Sequence, residues 1–245
     1  MRKISFAKRI SRRLGRLLHP EAQLSFSQEG EDLVLLRTLA MNSGRPGFFV
    51  DVGAHAPKWY SNTFLLYQQG WRGINIDATA GVAKEFARVR PADTTLEIVV
   101  GNGDEREFID LEEHALSGLS SAQLSGRIDQ GVAVKSRRMV RTVPLRAILE
   151  KHMSPTQKID LLTIDVEGHE EEVLKSNDWN RYQPRVIIVE IGQAISMADV
   201  TSATVTHFLE DHNYIPYART GLSVFFARKD CLKQSTLGFS IEDDC

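Results

Sequence analysis

From residue 46 onward, apolar runs of strand length alternate with longer segments of helical character. That alternation is the mark of parallel βαβ units, and it restricts the chain to an α/β sheet covered by helices. The first run, Phe48, Phe49, Val50, Asp51 and Val52 ahead of Gly53, has almost no polar alternation and reads as a strand buried on both faces. A helix over residues 60–69 stops at Gly70, and a second strand over 73–78 leads to a helix over 80–90 that must end near Pro91. A third strand is read over 95–100, a fourth over 159–166 and a fifth over 185–191, with helices over 145–152, 169–175 and 199–212. Residues 214–218 and 223–227 make a closing hairpin. Residues 103–145 break the rhythm: alternating segments at 106–111 and 138–143 flank a polar stretch, 117–130, containing Gly and Ser. A β-hairpin-like insertion with a mobile loop is expected there, placed where a substrate cap could form.

A chain of 245 residues that is 42% hydrophobic and 25% charged can bury one full α/β core. The expected division is a basic amphipathic helix over 1–25, a main domain over 26–230 with the insertion at 103–145, and a tail over 231–245. In the leader, Phe6, Ile10, Leu14, Leu17 and Leu18 recur at helical spacing while Arg9, Arg12, Arg13 and Arg16 take other faces. Such a helix lies on an anionic membrane surface, packs as a leader on the domain, or simply frays. No run approaches the roughly 20 apolar residues of a membrane span, and the apolar core of a secretory signal is lacking. A cytoplasmic protein is expected, with peripheral contact at the inner face of the membrane through residues 1–20. Cys231 and Cys245 are the only cysteines and sit in the last fifteen residues, so no disulfide framework is expected. Residues 1–23 carry seven basic groups against Glu21, leaving 23 basic and 31 acidic groups, about −8, in the remainder. A body of that charge does not suit nucleic acid.

Three strand ends carry the candidate chemistry. Gly53 lets backbone approach a ligand without a Cβ, at the carboxyl end of a strand where ligands of open parallel sheets settle. The dinucleotide fingerprint is missing, because His55 and Lys58 stand where its next two glycines would be. Asp77, 24 positions after Gly53, ends the second strand and can accept hydrogen bonds from both hydroxyls of a ribose. The third strand runs into Gly101 and Asn102, further candidate cofactor contacts. The fourth ends in Asp165, Val166, Glu167, Gly168 and His169, which would place an acid, a base and a proton shuttle at one lip. As plain structure, Asp77 would be a solvated strand end, Asp165 or Glu167 a helix cap, and His169 an exposed helix residue.

Taken in order, these residues resemble the FkbM family of S-adenosylmethionine-dependent methyltransferases over about residues 26–228. The resemblance is carried by Phe26-Ser27-Gln28 with Glu31-Asp32, by Phe49 through Ala54, by Ser61-Asn62-Thr63, and by Gly70-Trp71-Arg72-Gly73. Ile164-Asp165-Val166-Glu167-Gly168 and the strand ending at Glu190 complete it. It implies a Rossmann-like class I methyltransferase fold, α/β, with a mostly parallel seven-stranded sheet, a C-terminal antiparallel hairpin and the small β insertion. It also implies S-adenosyl-L-methionine as cofactor, its amino-acid end near Asp51 and Gly53 and its ribose at Asp77. Ala54, His55, Gly101, Asn102 and Asp165 complete the expected cofactor set. Two residues depart from the family's usual pattern: Asp77-Ala78 stands where Glu-Pro is common, and His55 where Asn is usual.

Methyl transfer to oxygen needs an aligned acceptor and a base for its proton. His55, Asp165, Glu167 and His169 are the candidates, with Asp165 expected to orient cofactor and acceptor and Glu167 or His169 to act as base. Asp165, Glu167 and His169 could instead hold a divalent ion, but their spacing matches no recognised metal motif, and no metal site is expected. The resemblance implies a hydroxyl of a sugar in a glycan, glycolipid or lipo-oligosaccharide as acceptor, a deoxyhexose such as fucose being one case. Trp59, Tyr60 and Trp71 are candidate sugar-stacking platforms, although aromatic residues beside strand ends are more often core. The alternatives are a polyketide or other small-molecule hydroxyl, or a non-catalytic, membrane-associated nucleotide-binding protein.

Overall fold

The computed structural model describes residues 22–40, 45–192, 194, 196–235, 238–242 and 245. The basic amphipathic helix expected over 1–25 falls almost wholly outside them. A seven-stranded sheet carries the fold: β1 (Phe48–Val52), β2 (Arg72–Asp77), β3 (Thr94–Glu97), β7 (Leu161–Ile164), β8 (Val186–Glu190), β9 (Tyr214–Arg219) and β10 (Ser223–Arg228). Their order is β3-β2-β1-β7-β8-β10-β9, with β10 antiparallel to both β8 and β9 and the other neighbouring pairs parallel. This is the mostly parallel Rossmann-like sheet with a closing antiparallel hairpin that the sequence predicts. Alternate residues of the central strands feed two cores. Val50, Val52, Leu162, Ile164, Ile187 and Val189 face one, and Phe49, Leu161, Val186, Ile188 and Phe225 face the other. Both faces being covered explains why these strands lack polar alternation.

Helices α1 (Glu31–Leu35), α2 (Phe64–Gln68), α3 (Val82–Val89), α5 (Leu145–His152), α6 (Glu170–Lys175), α7 (Met197–Ser202) and α8 (Thr204–Asp211) lie among the connections of this sheet. The single helix read over 199–212 is broken at Ala203, whose ψ of 141° is extended. Thr201 and Ser202 donate their hydroxyls to the carbonyls of Ala198 and Asp199, the local competition that ends helices. The third strand is shorter than expected because β2 ends at Asp77, opposite Glu97; beyond that pair the chain keeps only an isolated parallel bridge, Val100 with Val143.

The insertion is a three-stranded antiparallel sheet of β4 (Glu105–Leu111), β5 (Gly118–Leu119) and β6 (Val134–Arg141), with helix α4 (Ala122–Asp129). The mobile loop expected at 117–130 is therefore corrected to a short strand and a capped helix. Ser121 accepts the Leu124 N–H at 3.1 Å, and Leu124 packs on Ile109 and Leu111 in a small core of its own. The tail needs a second correction, since β11 (Leu232–Ser235) pairs with β12 (Gly238–Ile241) and a disulfide joins Cys231 to Cys245. Pairing Leu232 with Ile241 folds the tail on itself and brings the two Cα atoms to 5.2 Å, so two closely spaced cysteines suffice for a bridge.

Candidate cofactor and acceptor site

The chain runs outward from β1 to β3 and then resumes on the other side of β1 at β7, so the strand order switches between these two central strands. Ligands of open α/β sheets bind outside the carboxyl ends at such a switch. A cavity of about 370 Å³ lies there, with Val52, Gly53, Ile76, Asp77, Asp165 and Glu190 along its floor. That volume falls within the roughly 300–1,000 Å³ usual for small-molecule sites. Gly53 has φ of +84°, and a Cβ on it would lie 1.6 Å from the Asp165 carbonyl oxygen. Only glycine lets the two strand ends pass at that distance.

Asp77 lines the cavity and also organises its rim: one carboxylate oxygen accepts the His55 N–H at 2.8 Å, the other the Thr79 N–H at 2.7 Å. The loop it holds is strained, with left-handed φ at His55 (49°) and Tyr60 (55°). His55 and Tyr60 line the cavity too, and their rings stack with centroids 6.3 Å apart. Trp59 and Tyr60 are 60% and 56% exposed, whereas Trp71 is 1% exposed and belongs to the core.

Four of the expected cofactor residues lie away from the cavity lining. Asp51 sits behind it, buried, accepting the Thr63 hydroxyl at 2.7 Å while Arg90 donates to that hydroxyl at 3.0 Å. Burial outweighs both neighbours and pushes the Asp51 carboxyl up to about 6. Ala54 packs on Val82 and Phe86. Gly101 abuts Thr142, and Asn102 faces a neighbouring recess shared with Gly168, His169 and Glu172.

Asp165, Glu167 and Glu190 converge, with carboxylate oxygens within 4.8 Å of one another. Asp165 is open to the cleft yet crowded by protein. That crowding, then Glu190, holds its carboxyl well above the usual range. Glu167, at left-handed φ of 58°, is pushed up to about 7 by burial and by Glu190 against the opposing pull of Arg127, whose guanidinium lies 2.5 Å away. A convergence of carboxylates is by itself no metal site, and no ion is assigned to it. His169 caps α6, its Nδ1 3.5 Å from Glu172, and its Nε2 finds no hydrogen-bond partner among the described residues. Sequence reasoning gave no site role to Glu190, Arg127 or Gln28, all of which line the cavity. Glu190 had a signal, a carboxylate closing an apolar strand as Asp77 and Asp165 do.

Residues 51–216 match the model of the methyltransferase FkbM domain. The chain belongs to the FkbM methyltransferase family. It is an S-adenosylmethionine-dependent methyltransferase of class I fold. Among solved structures it is similar to a precorrin-6y C5,15-methyltransferase from Geobacter metallireducens GS-15, at 14% identity, 80% coverage of this chain and 86% of that one, with a TM-score of 0.42. A TehB-like SAM-dependent methyltransferase from Corynebacterium glutamicum ATCC 13032 Kitasato matches at 10% identity, 91% and 97% coverage, and a TM-score of 0.38. No curated protein matches the chain. The FkbM-family cavity fits this cofactor on its own residues. Asp77 keeps lone pairs for ribose hydroxyls after accepting two N–H groups, Ile76, Ile98 and Val100 offer an apolar wall to a base, and the carboxylates suit a cationic sulfonium.

Proposed function

We propose that this methyltransferase transfers its methyl group to a hydroxyl oxygen, and that the acceptor is a sugar of a glycan, glycolipid or lipo-oligosaccharide. The observation that carries the reading is Glu167, a carboxylate at the cavity wall whose proton affinity, about 7, suits a base at neutral pH. S-adenosylmethionine, when bound, supplies a methyl group on a sulfonium as electrophile. Glu167 would take the proton of the acceptor hydroxyl as that oxygen is methylated. Asp165, beside it, orients the acceptor, and Asp77 holds the ribose. His169, at the cavity with its Nδ1 3.5 Å from Glu172, is the alternative base.

The acceptor class rests on charge and on the rim. Among the described residues, Asp77, Glu113, Asp165, Glu167 and Glu190 line the cavity with Arg127 as the one arginine or lysine, an environment that favours a neutral polyol over a phosphate or carboxylate. Trp59 and Tyr60, exposed on the strained loop, offer the flat faces on which sugar rings stack. The apolar side of the insertion, Phe108, Leu116 and Leu119, supports as a second reading a polyketide or other small-molecule hydroxyl. A lipid-linked acceptor met at the membrane face is the reading that the basic residues 1–20 favour, and a fucose-like deoxyhexose presents both a hydroxyl and an apolar edge.

Labelled S-adenosylmethionine offered with neutral oligosaccharides, phenols and amines tests this. We expect O-methyl saccharide as product, turnover lowered at least about 100-fold in Glu167→Gln, and a raised saccharide KM in Trp59→Ala. Label found only on amines or phenols refutes the acceptor class, and full turnover in Glu167→Gln refutes the base.

A further inference from the structure

The insertion reaches the strained turn after β7 at three points. Arg127 of α4 pairs with Glu167 at 2.5 Å, the two side chains being 23% and 10% exposed. A Cβ on Gly168 would lie 2.7 Å from the Gln123 side-chain oxygen, and one on Gly118 would touch the Glu167 Cβ at 3.4 Å. Arg127 is also the only arginine or lysine lining the cavity among the described residues.

We propose that Arg127 is a positioning residue for methyl transfer: carried on the insertion helix, it holds the Glu167 carboxylate against the cavity wall and favours its charged form. The inference rests on Glu167 as proton acceptor.

The charge around Glu167 gives the reason. Asp165 faces it from the end of β7, Glu190 from the end of β8 and Glu170 from α6, with His169 next to it on the α6 cap. Arg127 is the cation that opposes these acids. Without it, three neighbouring carboxylates and a sheltered wall all favour the protonated form, which cannot accept a proton. Glu167 also sits at φ of 58°, a backbone conformation uncommon outside glycine, in a turn that contacts of the insertion press against. Because α4 packs mainly on the insertion's own small core, built on Ile109, Leu111 and Leu124, seating the insertion and readying the base become one event. Residues far from the strand ends thereby enter the reaction.

The test does not need the acceptor. Glutamate carboxyl ¹³C resonances are followed with pH in the full chain, and the Glu167 signal is assigned by its loss in Glu167→Gln. In Arg127→Gln and Arg127→Met we expect the Glu167 midpoint to rise by about one pH unit or more, and Arg127→Lys to restore at least half of that. Calorimetry with S-adenosylhomocysteine confirms that each variant keeps its fold, and either neutral variant that binds can decide. An unmoved midpoint in such a variant overturns the proposal, as does a lysine variant that behaves like the neutral ones. Failure of the base reading is seen separately, as full turnover in Glu167→Gln, and leaves these titrations untouched.

Discussion

Replacing Asp77 with alanine separates the two tasks its carboxylate performs. In the free protein it accepts the His55 N–H at 2.8 Å and the Thr79 N–H at 2.7 Å, tying the ends of β1 and β2 together at the cavity rim. Both donors are half-buried, so water partly replaces the lost acceptor, and the fold should lose only about 1 kcal/mol. Ligand affinity should suffer more. Hydrogen bonds from ribose hydroxyls to a charged acceptor are worth roughly 1.5–3 kcal/mol, or about 10- to 150-fold in Kd. Calorimetry with S-adenosylhomocysteine, beside urea unfolding of the same samples, reads both quantities. Asp77→Asn is the control: its amide offers one acceptor oxygen, so one of the two N–H groups must face an NH₂, and an intermediate loss follows. Alanine-variant affinity within twofold of wild type would remove Asp77 from the cofactor site and leave it a loop-binding residue only.

Burial raises the Asp51 carboxyl from an ordinary 3.8 to about 6, so its protonated form favours folding. The stability it contributes is complete below about pH 4 and is lost as pH climbs through 6. Asp51→Asn should therefore be more stable than wild type at pH 8, by up to about 3 kcal/mol, and no more stable at pH 4. Parallel stability–pH curves for the two proteins would contradict the assignment. Gly53→Ala should cost about 3 kcal/mol or more, since it meets both a left-handed backbone and the Asp165 carbonyl. Gly131→Ala, at φ of +97° with open space around it, should lose only about 1 kcal/mol. Equal losses in the two would show that the close approach of β1 and β7 is unimportant.

The sequence alone determined the sheet, its strand-tip carboxylates and the family. Those features are written locally: an apolar run such as Phe48 to Val52 has nowhere to go but between two helical layers, and a carboxylate or glycine closing it must stand at the strand end. The helix over residues 145–152 was likewise legible from its own apolar spacing. What the tertiary structure decided lies between residues remote in the chain. Arg127 meets Glu167 across 40 positions, Asp77 meets His55 across 22, and Thr220 joins Glu31 across 189. The order of the insertion and the pairing of Cys231 with Cys245 depend on small cores and ladders that no single segment announces. Proton affinities belong to this second group as well. They arise from how much protein and how many other charges surround a carboxyl, and those surroundings exist only once distant strand ends and the insertion have come together.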